Sequence, residues 1–289
     1  MTSNSAHDYQ DVLVIAIGGP TCSGKTTLAK NLRKILPNSE ILHQDDFAPK
    51  SEDIPIHPVH GVPDWDDPSG AIDWDRLRKT ISQLKNDKDE RLPETHDDLN
   101  VSANAVEVDV TKYAGCIDRL KGLRLPQRFI ILDGFLLYWD EKCVTNYDLK
   151  FFVRESYEVL KERRRIRQTY HTAGQHNPSL PSDQGFQTNH AYRTHIPHNR
   201  WNDMARSTRI LDQIIWPAYL KAHGHMFKEG LVETSDLDRN SWAGKDVVLL
   251  EPSSKGDPAE KTLAQYLEIT LDSICEYLTK SSPPSNPSS

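Results

Sequence analysis

Cysteine is scarce in this sequence and its copies stand apart: Cys22, Cys116, Cys143 and Cys275 form neither a close pair nor a metal-ligand spacing. That usage excludes a disulfide framework and reads as a protein of a reducing, cytosolic or nuclear compartment. Long apolar runs are lacking as well. No window approaches the roughly 18 apolar residues that a membrane-spanning helix needs, and no apolar segment precedes the first predicted strand. Nor is there an excess of positive charge. With 35 Lys and Arg against 42 Asp and Glu the formal net charge is −7, so no basic field exists to hold a nucleic acid or an anionic membrane. A small-molecule partner is the better expectation. There is no internal repeat, and nothing sets an oligomeric state; a monomer is slightly favoured.

What is present fits one α/β domain over residues 11–280 of the 289. Residues 1–10 and 281–289 are too polar to offset the entropy of ordering and read as disordered ends. Between them lie apolar runs of strand length at Val12 to Ile17, Glu40 to His43, Phe129 to Leu132, Leu149 to Val153 and Val247 to Leu250. Most show little polar alternation, as strands buried on both faces do. Helical patterns separate them at Thr26 to Ile35, Trp74 to Leu84, Tyr157 to Arg167 and Pro258 to Leu278, the last behind an Asp257 cap. Strands alternating with helices predict a parallel sheet covered on both faces. Two stretches, about 86–128 and 171–206, break the alternation and read as surface insertions, the first with a short strand at Ala105 to Val110.

Directly after the first strand runs Gly19-Pro20-Thr21-Cys22-Ser23-Gly24-Lys25-Thr26, the P-loop pattern in its strand-loop-helix setting. Backbone N–H groups freed by the glycines, and the helix N-terminus behind them, suit phosphate oxygens. Gly19 to Thr26, with Thr27, are the expected ATP-binding set. Lys25 is expected on the β- and γ-phosphates, and the Thr26 hydroxyl on Mg²⁺. No Asn-Lys-x-Asp guanine signature follows, which disfavours a GTPase. Acidic residues fall instead at strand ends, where open α/β sheets bind ligands. Asp45, in Gln44-Asp45-Asp46-Phe47, can take a proton from a substrate hydroxyl or hold a metal-bound water. Asp133 closes the third strand and would emerge beside the P-loop if the two strands neighbour each other.

Together with Trp65-Asp66, Asp133-Gly134-Phe135-Leu136-Leu137 and Trp216-Pro217-x-Tyr219, these segments stand in the order seen in nicotinamide riboside kinases, which the chain resembles from Val12 to Tyr219. The resemblance implies a P-loop kinase with a five-stranded parallel sheet, flanking helices and a lid. It implies Mg²⁺ and ATP, transfer to the ribose 5′-hydroxyl of nicotinamide riboside, and a place in salvage synthesis of NAD. Asp45 would be the proton acceptor and, with Thr26, a magnesium partner. Asp46, Phe47, Trp65, Asp66 and Asp133 would face the substrate, and the Trp65 indole suits a flat cationic pyridinium. Arg163 and Arg167 would contact ATP, with Arg164 and Tyr170 on the substrate. Another nucleoside or small-metabolite kinase of the same fold, uridine first, is the alternative, and a non-catalytic nucleotide-binding protein the more distant one.

Two departures stand out. The family usually has Glu where this chain has Asp133, so the shorter carboxylate is expected to reach through a water. Residues 171–206 interrupt the lid, and their histidines at 171, 176, 190 and 195, with His198, invite a zinc reading that lacks any clean ligand motif.

Overall fold

The computed structural model describes residues 10–93, 108–166, 210–254 and 257–281. The apolar runs become five strands: β1 (Val12–Gly18), β2 (Ser39–His43), β3 (Arg128–Gly134), β4 (Leu149–Val153) and β5 (Val247–Leu250). They lie in the order β2-β3-β1-β4-β5 with every pairing parallel. From β1 the chain goes to one side for β2 and β3, then to the other for β4 and β5. The crevice at the C-terminal end of β1 is therefore the switch point at which such sheets take ligands.

The α-helices among the described residues are α1 (Lys25–Ile35), α2 (Trp74–Asn86), α3 (Ala114–Lys121), α4 (Glu141–Val144), α5 (Tyr157–Ile166), α6 (Trp216–His223) and α7 (Ala259–Ser281). Alternate residues of β1 serve opposite layers, because side chains of a strand point to alternate faces. Val12, Val14 and Ala16 join Leu77, Ile81 and Leu84 of α2 and Tyr219 and Ala222 of α6. Leu13, Ile15 and Ile17 join Leu28 and Leu32 of α1 and Leu267 and Leu271 of α7. Each such aliphatic side chain stabilises the fold by roughly 1.5–3 kcal/mol relative to exposure, so the sheet is a rigid floor for the loops at its C-terminal edge.

Strand and helix positions agree with the sequence reading to within a few residues. The stretch 86–128 does not. Of its expected strand, residues 105–107 lie outside the described residues, and Val110 opens a 3₁₀ turn whose Asp109 cap accepts from the Thr111 N–H. Asp before Thr favours that local bond over a sheet ladder. The turn leads into α3, and Tyr113 and Leu120 are buried in the α1/α7 layer, so this part of the stretch is built into the core. A five-residue π-helical stretch, Leu211–Ile215, runs directly into α6, where Pro217 sits in the first turn and needs no acceptor for an N–H. Arg167, Tyr170, the segment 171–206 with its histidines and the outermost ends lie outside the described residues. Among the described residues no helix is long and apolar enough to cross a membrane.

Candidate active site

The loop from Gly19 to Gly24 joins β1 to α1 at the switch point. Gly19 has φ 148°, and a Cβ there would lie 2.4 Å from the Val153 carbonyl oxygen, so only glycine lets the loop pass so close to β4. Cys22 also has a positive φ, 62°, the kind of strained geometry that collects at functional loops. Gly24 caps α1 without a side-chain hydrogen bond. The helix therefore offers its first N–H groups and its partial positive charge to an anion. Lys25 Nζ folds back to donate to the Pro20 carbonyl at 3.4 Å. Ser23 Oγ is buried with no hydrogen-bond partner.

Parallel pairing brings β3 against β1 and aligns Ile17 with Asp133. On the other side of β3, His43 is the register partner of Asp133. The Thr26 hydroxyl donates to Asp133 Oδ2 at 2.7 Å, and His43 Nδ1 lies 3.2 Å from the same oxygen. Asp133 thus reaches Thr26 directly. Burial alone would raise the Asp133 pKa, but the hydrogen bond from His43, the charge of Lys25 and the hydrogen bond from Thr26 hold it below its ordinary value. Its Oδ1 is buried and has no partner.

Asp45 sits in the 3₁₀ turn Gln44–Phe47 that follows β2. Gln44 is fully buried and its Oε1 accepts from the Leu136 N–H at 2.8 Å. A Cβ at position 134 would come within 2.5 Å of that side chain, so Gly134 is needed for the two loops to meet. On the outer side, Arg76 of α2 donates to the Asp46 carbonyl at 2.7 Å and lies over the Phe47 ring. The turn is clamped from both sides, and Asp45 projects from it into the cleft. Asp45 is exposed on the cleft surface, yet the surrounding protein pushes its pKa up, Lys25 pulls it down, and Asp133 adds repulsion.

The third wall is the loop after Pro55. Asp64 is buried, and its Oδ1 accepts the N–H groups of Asp66 at 3.2 Å and Asp67 at 3.0 Å, which fixes the loop around Trp65 and Asp66. Lys221 of α6 donates to Asp67 Oδ2 at 2.6 Å, tying the loop to that helix. Desolvation pushes the Asp66 pKa up to about 7, Arg164 opposes it, and Asp64 and Asp45 reinforce it. Successive positions on a helix diverge by about 100°, and α5 uses this to send neighbouring arginines to different walls. Arg164 is buried and acts on Asp66. Arg163 reaches the P-loop, donating to the Cys22 carbonyl at 3.3 Å and pairing with Glu155 at 3.1 Å. The base of α5 is held by Tyr157, whose hydroxyl bonds Asp212 and whose ring meets Trp216 at 5.0 Å.

Of the sequence-predicted residues, the structure brings Lys25, Thr26, Asp45, Asp133, Asp66, Arg163 and Arg164 to one cleft. Sequence reasoning missed His43, the Gln44 brace, Asp64 and Arg76. Only Asp64 carried a local signal, as the first residue of an Asp-x-Asp-Asp turn. The available donors around Thr26 are hydroxyl and carboxylate oxygens, the hard ligands that Mg²⁺ accepts. Among the described residues no three His, Cys, Asp or Glu side chains form a preassembled metal cage. That suits an ion completed by phosphate oxygens and water, with the Thr26 hydroxyl oxygen, whose hydrogen is committed to Asp133, as a protein ligand. Two open grooves of about 580 and 610 Å³ lie at the other end of the sheet. Their principal cations are already engaged, Lys85 by Asp148 and Arg128 by Glu40.

A parallel sheet of this order, a P-loop at its switch point and an acidic strand-end turn facing it define a P-loop kinase. No protein-family model matches the chain. It is similar to nicotinamide riboside kinase 2 of Mus musculus, 30% identical over 226 residues that cover 78% of this chain and 87% of that one. The nicotinamide riboside kinase of Schizosaccharomyces pombe is 26% identical over 246 residues, 84% of this chain and 90% of the relative. That of Saccharomyces cerevisiae is 25% identical over 271 residues, 90% and 98% of the two chains. The chain belongs to the nicotinamide riboside kinase family.

Proposed function

We propose that this protein transfers the γ-phosphoryl group of ATP to the 5′-hydroxyl of nicotinamide riboside, yielding nicotinamide mononucleotide and ADP in the salvage synthesis of NAD. One observation carries the reading beyond family membership. Asp45 feels the charge of Lys25 in the phosphate cradle and itself acts on Asp66 in the opposite loop. A single carboxylate thus lies between the donor side and the acceptor side. The 5′-oxygen attacks the γ-phosphorus, the bond to the β,γ-bridging oxygen breaks, and the hydroxyl proton passes to Asp45. Lys25 and Arg163 hold the triphosphate, while Asp66 accepts from the ribose hydroxyls and Asp133 keeps the Thr26 hydroxyl oriented. Magnesium, when bound near Thr26 and Asp45, offsets the charge that develops on the phosphate oxygens. Catalysis of this kind rests on alignment and charge. The four free cysteines support placing the enzyme in a reducing compartment.

The clustered carboxylates of Asp45, Asp64 and Asp66, with Trp65 between the last two in sequence, favour a cationic base over neutral uracil. Wild-type kcat/KM should therefore be higher for nicotinamide riboside than for uridine. Trp65→Ala should raise KM for nicotinamide riboside on the order of 10-fold, the loss of about 1.4 kcal/mol of stacking and cation attraction, with KM for ATP little changed. Trp65→Tyr should restore most of it. A wild-type preference for uridine would replace the proposed substrate, and equal losses for both ribosides would reject cation recognition.

Asp66 adds a pH dependence. Its ionised form accepts hydroxyl donors more strongly than the neutral acid does, and its pKa of about 7 places that ionisation within the working range. KM for the riboside should rise as pH falls below about 7 and level off above it, and Asp66→Asn should flatten the profile. A wild-type KM constant from pH 6 to 8 would remove Asp66 from ribose recognition.

A further inference from the structure

Asp133 uses its two oxygens unequally. Oδ2 receives the Thr26 hydroxyl at 2.7 Å and faces His43 Nδ1 at 3.2 Å, while Oδ1 is buried without a partner. One hydrogen bond would leave a short carboxylate free to rotate about χ2, a torsion with broad wells. Two donors converging on one oxygen fix the plane of the group. The second donor is supplied by the fold: His43 ends β2, directly opposite Asp133 in the parallel register, with its side chain only 10% exposed. A carboxylate facing Nδ1 selects the tautomer that carries the proton there. The hydroxyl hydrogen of Thr26 is then committed to Asp133, and the lone pairs of its oxygen are left for a cation.

We propose that His43 is a positioning residue for the phosphoryl-transfer site, which locks the Asp133 carboxylate so that Oδ2 holds the Thr26 hydroxyl hydrogen and leaves that oxygen's lone pairs for the nucleotide-bound metal. The inference rests on the kinase reading but not on the identity of the riboside. In this role His43 acts through Asp133, whose Oδ2 it faces, as partners beyond the metal's own ligands commonly do.

The test is Mn²⁺ binding to the full-length protein in the presence of ADP and without riboside, read by electron paramagnetic resonance, alongside kcat and thermal unfolding. His43→Leu keeps bulk and removes the donor. It should weaken Mn²⁺ binding on the order of 10-fold or more and lower kcat, with the affinity for metal-free ADP and the unfolding temperature near wild type. His43→Asn offers an amide N–H from a similar position and should recover most of both losses. In an Asp133→Asn background, His43→Leu should add little, because the two act as one unit. Overturning results are Mn²⁺ affinity unchanged in a folded His43→Leu protein, or His43→Asn as impaired as His43→Leu. Should the Leu variant not fold, the Asn variant decides: a loss of Mn²⁺ affinity there, in folded protein, rejects the role. Failure to phosphorylate nicotinamide riboside would count against the substrate and leave the metal-binding result standing.

Discussion

Lys25→Ala should give a folded protein with no measurable phosphoryl transfer, a loss on the order of 10³-fold or more. Lys25 opens α1, but the buried face of that helix is Leu28, Ala29, Leu32 and Ile35, so the packing that holds the P-loop does not depend on it. Its charge serves two sides of the cleft. On the proposed reading it meets the triphosphate, and it also pulls down the pKa of both Asp45 and Asp133. Without it the triphosphate would lose a cation, and two neighbouring carboxylates would lose a charge that favours their ionised forms. Lys25→Arg should not restore the rate, because the planar guanidinium fork is not a point charge and needs more room. ADP release in a coupled assay, with circular dichroism to check folding, measures the outcome. Near-native turnover in a folded Lys25→Ala protein would remove the kinase reading altogether.

The parts of this site that are local in sequence were legible in it. The P-loop is eight consecutive residues whose strand-loop-helix setting is readable from apolar runs. The five strands were readable because a parallel strand covered on both faces has no polar alternation to confuse with a helix. What a single sequence could not supply was which strand lies beside which. His43 closes an apolar run and looks like its last residue; only the order β2-β3-β1 puts it opposite Asp133. The same neighbourhood explains why Asp133 meets Thr26: β3 runs in register against β1, and the P-loop helix starts one short loop beyond β1. The helix α3 escaped notice because it is short and charged, and its burial comes from α7, more than a hundred residues away. The arginine run of α5 was readable as a cluster. Its division of labour, Arg163 toward the P-loop and Arg164 toward Asp66, depends on how the helix is turned on the sheet.

Asp45→Asn is expected to lower kcat at least about 10²-fold, the scale of losing a general base, while KM for ATP stays close to wild type. The amide is nearly isosteric, and the clamp on its turn does not use the side chain: Gln44 bonds Leu136, and Arg76 bonds the Asp46 carbonyl. Geometry should therefore survive and chemistry should not. A second effect separates removal of the base from a general disturbance of the cleft. Asp45 is one of the charges that raise the Asp66 pKa to about 7. Neutralising it removes that repulsion, so Asp66 should ionise at a lower pH in the variant. The inflection in riboside KM should move toward acid while kcat falls, a combination that simple loss of packing does not produce. Steady-state kinetics across pH 5.5 to 8, with saturating ATP, would record both. An unchanged kcat would take Asp45 out of the proton transfer. An inflection that stays in place, with kcat reduced, would mean that Asp45 and Asp66 do not share one electrostatic field, and that the carboxylate between donor and acceptor sides acts on only one of them.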